Sequence, residues 1–257
     1  MQELMDMVRV RADLAGSEVV VWWAGDVYAS IPDSGPHHLF GFEGVNVARA
    51  MPVEGGYELL TREAAFYLDP RSREILDGWD NEFTGERVDV LHVWNDPVNQ
   101  RWLADGPYGP FRSPRVRTGE DVMFNTDVLL AYPSPLPVAE FPDNSGSDVY
   151  RAMELFQFFT RAADVDDPGV TNIPCTLSWT RVAPWLPWMR MADRPGVLVY
   201  HCRGAKLAGW ADVPERTRRY VDEHGPQFAH APQAWSAPNE TSWTYFRKQA
   251  AGNPSFE

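Results

Sequence analysis

Proton transfer at neutral pH calls for a titratable group held in apolar surroundings, and the sequence offers only a few. From Arg87 to Asn99 the chain alternates with period two, so Val88, Val90, His92 and Trp94 share one face of a strand and His92 lies in an apolar row. That imidazole is the first candidate for a general base or acid; the competing role is a core histidine bonded to backbone. Between Gly196 and Leu207, His201 shares a face with Val197 and Val199, while Tyr200 projects opposite beside Leu198 and Cys202. Whichever face looks inward supplies the complementary group. Arg49 and Arg181 are the candidates for steadying an oxyanion. Asp96 has the parity of His92, but four residues of strand separate the two by about 13 Å. Asn95, Asp96 and Pro97 therefore read as a turn.

The stretch Trp179 to Met191 carries Trp179, Trp185 and Trp188 around two prolines that forbid a regular element. It is expected to be a stiff loop, either a pocket wall that stacks on a ring-containing ligand or a plug at the mouth of a barrel. Motifs for dinucleotides, nucleotide triphosphates, zinc proteases and nucleophilic serines are absent, and Lys206 and Lys248 are the only lysines. His37 and His38 would face opposite sides of a strand, so no metal site is expected there. These features point to a cofactor-independent lyase, isomerase or cyclase acting by acid/base catalysis on a hydrophobic, ring-containing small molecule. The alternative is a non-catalytic carrier or sensor of such a molecule.

The elements needed to position these groups are mainly strands. Short β-branched and aromatic runs punctuated by turn residues predict strands at Met5–Leu14, Val19–Ile31, Leu39–Pro52, Tyr57–Leu68, Glu74–Asn81, Arg87–Trp94 and Val122–Leu130. A Pro-rich connector over 132–144 follows. Ser147 then reads as the N-cap of a helix reaching Ala163, with Met153, Phe156, Phe159 and Ala163 at helical spacing; Glu154 lies beside that stripe and could reach inward, though an exposed carboxylate is the usual outcome. Strands return at Cys175–Val182 and Gly196–Leu207, a helix at Pro214–His224, and a tail, 229–257, is expected over the surface. The fold expected is a single domain over 1–257, an antiparallel meander closed into a barrel or folded into a sandwich, with one or two accessory helices.

The formal charge of −13 on 257 residues argues against nucleic acid and anionic membrane as partners. No apolar run reaches the roughly 20 residues of a membrane span. Met1 to Asp6 lack the pattern of a secretory signal, so a cytoplasmic location is expected. Cys175 and Cys202 each lie in an apolar run and are expected to be buried thiols. Arginine makes up 21 of the 23 basic residues, a skew expected of a GC-rich bacterial genome. A homo-oligomer is left open.

Several segments together resemble the bacterial domain-of-unknown-function family 1838: Gly41 to Arg49, Trp79 to Asn99, Tyr132 to Pro137 and Trp179 to Met191, within a similarity running from about Val8 to about Pro232. The resemblance implies a common fold and a common site. It adds Glu43, Asn46, Asn95 and Asp96, as substrate-binding candidates, to Arg49, His92, Trp179, Arg181 and His201.

Overall fold

In the computed structural model, which describes residues 1–107 and 109–252, ten strands form one antiparallel sheet. They are β1 (Val19–Ser30), β2 (His37–Val53), β3 (Gly56–Leu68), β4 (Val93–Asn95), β5 (Gln100–Leu103), β6 (Arg115–Thr118), β7 (Asp121–Pro133), β8 (Val149–Arg161), β9 (Thr176–Ala183) and β10 (Val197–Leu207). Their spatial order is β6-β7-β8-β9-β10-β1-β2-β3-β4, with β5 also on β3. This is a meander in which the last strand pairs with the first. Among the described residues no hydrogen-bonded pairing joins β4 or β5 to β6 or β7, so the sheet is open rather than a closed barrel. The chain between β5 and β6 holds Pro107, Pro110 and Pro114, which cannot donate to a ladder. Residues from both ends of the sheet nonetheless line one cavity, so the sheet curls around it.

The helices are α1 (Gln2–Arg11), α2 (Ala162–Asp166), α3 (Glu215–His224) and α4 (Ser242–Ala250). Two of these positions depart from the sequence reading. The predicted strand Met5–Leu14 is the helix α1, because Leu4, Val8 and Ala12 pack as one stripe on Ala48, Ala50 and Leu59. The predicted helix from Ser147 to Ala163 is mostly the strand β8, whose Tyr150, Glu154, Phe156 and Phe158 point inward while Met153 and Phe159 point out. The predicted strand Arg87–Trp94 is broken: Arg87–Asp89 pairs with Gly78–Asp80, and His92 lies between that ribbon and β4. Of the predicted strand Glu74–Asn81, Gly78–Asp80 is extended in that ribbon and Leu68 forms an isolated bridge to Ile75.

The tail also departs from expectation. Residues 253–257 lie outside the described residues, but α4 buries Trp243, Phe246 and Ala250 and begins with a capping box between Thr241 and Thr244. It straps the gap in the sheet. On one side Asn239 exchanges two hydrogen bonds with the Asn99 backbone, at 2.8 and 2.7 Å, and the Glu240 amide donates to the Pro97 carbonyl. On the other side Arg247 donates to the Pro135 carbonyl and pairs with Glu140 in the connector that follows β7. Trp243 meets the Tyr150 ring edge-on at 4.6 Å.

On the convex face, Val221 of α3, with Val213 before the helix and Phe228 after it, covers Val45, Val47, Ala64 and Phe66. On the concave face lies the larger core. The two cysteines are buried and unpaired. No helix among the described residues is long and apolar enough to cross a membrane.

Candidate active site

Strand parity decides what enters the cavity. On β3, Thr61, Glu63, Ala65 and Tyr67 face the concave side and Arg62, Ala64 and Phe66 the convex side. Asn46 on β2, Asn95 on β4, Trp179 and Arg181 on β9, and Glu154 and Phe156 on β8 follow the same rule. The resulting cavity measures about 410 Å³, and its lining mixes apolar groups, chiefly Met7, Val21, Trp23, Trp102, Phe156 and Trp179, with polar and charged ones. Room for the Trp23 indole comes from glycine: a Cβ on Gly44 would lie 2.6 Å from Trp23 Cζ2, and one on Gly204 3.0 Å from Trp23 Cβ. Trp179 then meets Trp23 edge-on at 6.2 Å and stacks on Phe156 at 6.2 Å.

The polar lining holds three carboxyl groups: Glu240 pairs with Lys248 at 2.6 Å, and Glu154 and Glu63 lie in unlike surroundings. Glu154 and Arg181 are directly opposed across β8 and β9, and Arg181 Nη1 donates to Glu154 Oε1 at 2.9 Å. Arg181 Nη2 donates to the Tyr150 hydroxyl at 2.5 Å, and the guanidinium lies 5.9 Å from the centre of the Tyr200 ring. Burial opposes the charge of Arg181, but Tyr150 and Glu154 outweigh it and hold the guanidinium above its usual range. Glu63 has only a long hydrogen bond, 3.4 Å, from Asn95 Nδ2. Burial pushes its carboxyl up to about 7; Glu154 acts in the same direction, and Arg181, Arg11 and the Asn95 bond act against it.

Beside Glu63 and Arg181 a recess of about 20 Å³ reaches the Tyr67 and Tyr200 hydroxyls, which share a hydrogen bond of 3.2 Å. Burial pushes Tyr200 up to about 12 and Tyr67 well above its ordinary value. Both phenols are therefore neutral donors at pH 7. Five buried polar atoms of cavity-lining residues find no partner within the protein: Trp23 Nε1, Trp179 Nε1, Arg181 Nε, Asn46 Oδ1 and Asn95 Oδ1. Such atoms are costly when no partner meets them.

Of the residues singled out from sequence, the cavity and its recess bring together Asn46, Asn95, Trp179, Arg181 and Tyr200. His92 is not among them. It is buried against Phe66, Tyr67 and Tyr220, its Nδ1 accepts from the Tyr67 amide at 3.2 Å, and burial pulls it down to about 4. It is a neutral core histidine at pH 7. His201 is exposed on the outer face, opposite Tyr200. Arg49 donates to the Gly16 carbonyl and pairs with Glu18 away from the cavity. Glu43 is buried on the convex face beneath α3, and Asp96 pairs with Arg62 where the chain bends after β4. Trp185 and Trp188 close one end of the core; Trp188 packs on Phe40, Tyr67 and Trp79, and Trp185 donates to the Arg194 carbonyl.

The sequence reading does not single out Glu63 or Arg11. The signal for Glu63 was present: it shares strand parity with Ala65 and Tyr67, a charged residue in an apolar row. Glu154 enters the cavity from a strand rather than from the expected helix, and Arg11 from a helix rather than the expected strand.

The fold and cavity together define an open, curled antiparallel sheet with a polar cluster inside an aromatic-lined cavity. The chain belongs to the family described as protein of unknown function (DUF1838), whose sequence profile matches residues 16–250. No curated protein matches the sequence.

Proposed function

We propose that the protein is a cofactor-independent acid/base enzyme, an isomerase, lyase or cyclase, acting on a hydrophobic ring-containing molecule, with Glu63 as the group that takes and returns a proton. The observation that carries this reading is the state of Glu63: a carboxyl group inside an aromatic cavity, without a cation bonded to it, and poised at about 7. A base of that strength is half in each form at neutral pH, the condition under which proton transfer in both directions is efficient.

The surrounding groups have matching roles in this reading. Asn95 orients the Glu63 carboxyl through the 3.4 Å bond. The Tyr67–Tyr200 hydroxyl pair supplies a donor for an enolate-like oxygen formed when a proton is removed beside a carbonyl. Trp23, Trp179 and Phe156 hold the ring and keep water from the carbanion. A carrier of the same ligand would need an apolar cavity and one polar anchor; two separate polar groupings, Glu63 with Asn95 and Glu154 with Arg181, favour the enzyme.

The test is incubation of the purified protein with a ring-rich metabolite extract, followed by untargeted mass spectrometry, with Glu63→Gln and His92→Ala run alongside. The expected result is a compound converted to a product of equal or lower mass by the wild type and by His92→Ala, and left intact by Glu63→Gln. A compound retained unchanged by all three proteins would make the chain a carrier.

A further inference from the structure

Arg11 is the last residue of α1, and its neighbour Arg9 shows what an arginine at this helix end does when its role is structural. Arg9 turns away from the cavity and donates to the carbonyls of Asp164, Val165, Asp167 and Val170, at 2.5 to 3.1 Å, while pairing with Asp6. Two residues on, roughly 200° round the helix, Arg11 enters the cavity instead. Its guanidinium lies 5.8 Å from the centre of the Phe156 ring and 5.5 Å from that of Phe158. Among the described residues no hydrogen bond or ion pair reaches it. The other cavity arginine, Arg181, already has the Glu154 carboxylate at 2.9 Å.

A guanidinium remains charged at any physiological pH and offers five donors in a flat fork. Held against two aromatic faces in a largely apolar cavity, it interacts with an anion through a poorly screened field. Its nearest acidic neighbours cannot fill that place, because Glu154 is engaged by Arg181, and Glu63 forms no ion pair with Arg11 and bonds only to Asn95.

We propose that Arg11 is the anchor for an anionic group of the ligand, so that the cavity takes a hydrophobic ring system bearing one carboxylate or an equivalent oxyanion. The proposal rests on the cavity being the ligand site of the proposed enzyme. The apolar body lies along Trp23, Trp179 and Phe156, the anion accepts a forked pair of hydrogen bonds from Arg11, and the reacting carbon is presented to Glu63. The anchor also selects orientation, because a ring docked the other way round would bring its charge to the Trp179 and Trp23 end, where the guanidinium of Arg181 is already paired with Glu154.

The test uses a matched pair of fluorescent probes with the same aromatic skeleton, anilinonaphthalene sulfonate and the neutral phenylnaphthylamine, titrated into the wild type, Arg11→Met and Arg11→Lys. Wild type is expected to bind the sulfonate at least about tenfold more tightly than the neutral probe. Arg11→Met should bring the two to parity without weakening the neutral probe, and Arg11→Lys should keep part of the preference. Equal affinities in the wild type, or binding of neither probe, would overturn the proposal without any variant having to fold. Turnover is read separately. If the anion preference holds but Glu63→Gln retains activity, the acid/base reading falls and the anchor stands; if the preference is absent but Glu63→Gln is inactive, only the ligand class falls.

Discussion

Two glutamates on adjacent strands, Glu43 on β2 and Glu63 on β3, are surrounded in opposite ways. Glu43 lies on the convex face, 2% exposed, and its carboxylate accepts from Arg216 Nε at 2.9 Å, Arg216 Nη2 at 2.5 Å and Thr217 Oγ1 at 2.8 Å. Three hydrogen bonds hold both oxygens, and the group fastens α3 to the sheet. Glu63 lies on the concave face with one long bond and a cavity in front of it. The lesson is that burial alone does not separate a structural carboxylate from a reactive one. Partnering does: one carboxylate is held by a guanidinium and a hydroxyl, whereas the other, undersatisfied in an aromatic cavity, is open to a ligand.

The largest expected effect follows directly. Glu63→Gln, nearly isosteric, should lower turnover of the substrate found in the metabolite screen by about 10²- to 10⁴-fold, as loss of a general base does, while circular dichroism and thermal unfolding show an intact fold. A variant that kept its rate would break the comparison at its functional end.

Glu43→Ala should do the reverse. It leaves Arg216 and Thr217 without their acceptor, and because Arg216 is 41% exposed the loss should fall short of a fully buried pair, about 2 to 4 kcal/mol in chemical denaturation. Activity measured well below the unfolding temperature should be retained.

Glu63 also makes stability depend on pH. Glu63 binds its proton more tightly in the folded protein than in the unfolded chain, so between about pH 4.5 and 7 the folded state carries the extra proton and stability falls as pH rises through that window. The loss should be about 2 to 3 kcal/mol, and it should vanish in Glu63→Gln, which becomes more stable than wild type above pH 7. In Glu43→Ala the slope should persist. Urea midpoints measured from pH 4 to 8 decide this.

The smallest effect expected is at His92. Its folded value is depressed to about 4, so it favours the neutral form, and its contribution is present above pH 6.5 and is lost as pH falls toward 4. His92→Gln should remove that acid sensitivity and leave turnover at pH 7 within about threefold of wild type, an effect too small for loss of a general base.

Much of the sheet was legible because β1, β2, β3, β9 and β10 are long runs of β-branched and aromatic residues whose alternation is hard to mistake. The errors arose where two periods fit one sequence. In α1, Val8, Arg9, Val10 and Arg11 alternate like a strand, yet Leu4, Val8 and Ala12 meet a preformed surface at helical spacing. In β8, Met153, Phe156 and Phe159 repeat like a helix, yet the inward row is Tyr150, Glu154, Phe156 and Phe158. Both segments deliver a charged residue to the cavity, so both errors hid part of the site. Trp179, Arg181, Asn46 and Asn95 were recognisable, while the contrast between Glu43 and Glu63 depends on α3, whose docking no local pattern records.

The most direct test of the account is a carbon-13 NMR titration of the side-chain carboxyl groups of glutamate-labelled protein, with the Glu63 resonance assigned by its absence in Glu63→Gln. The account predicts an inflection at about 7 for that resonance. An inflection in the ordinary glutamate range, about 4.3, would contradict it and leave the cavity without a proton-transfer group.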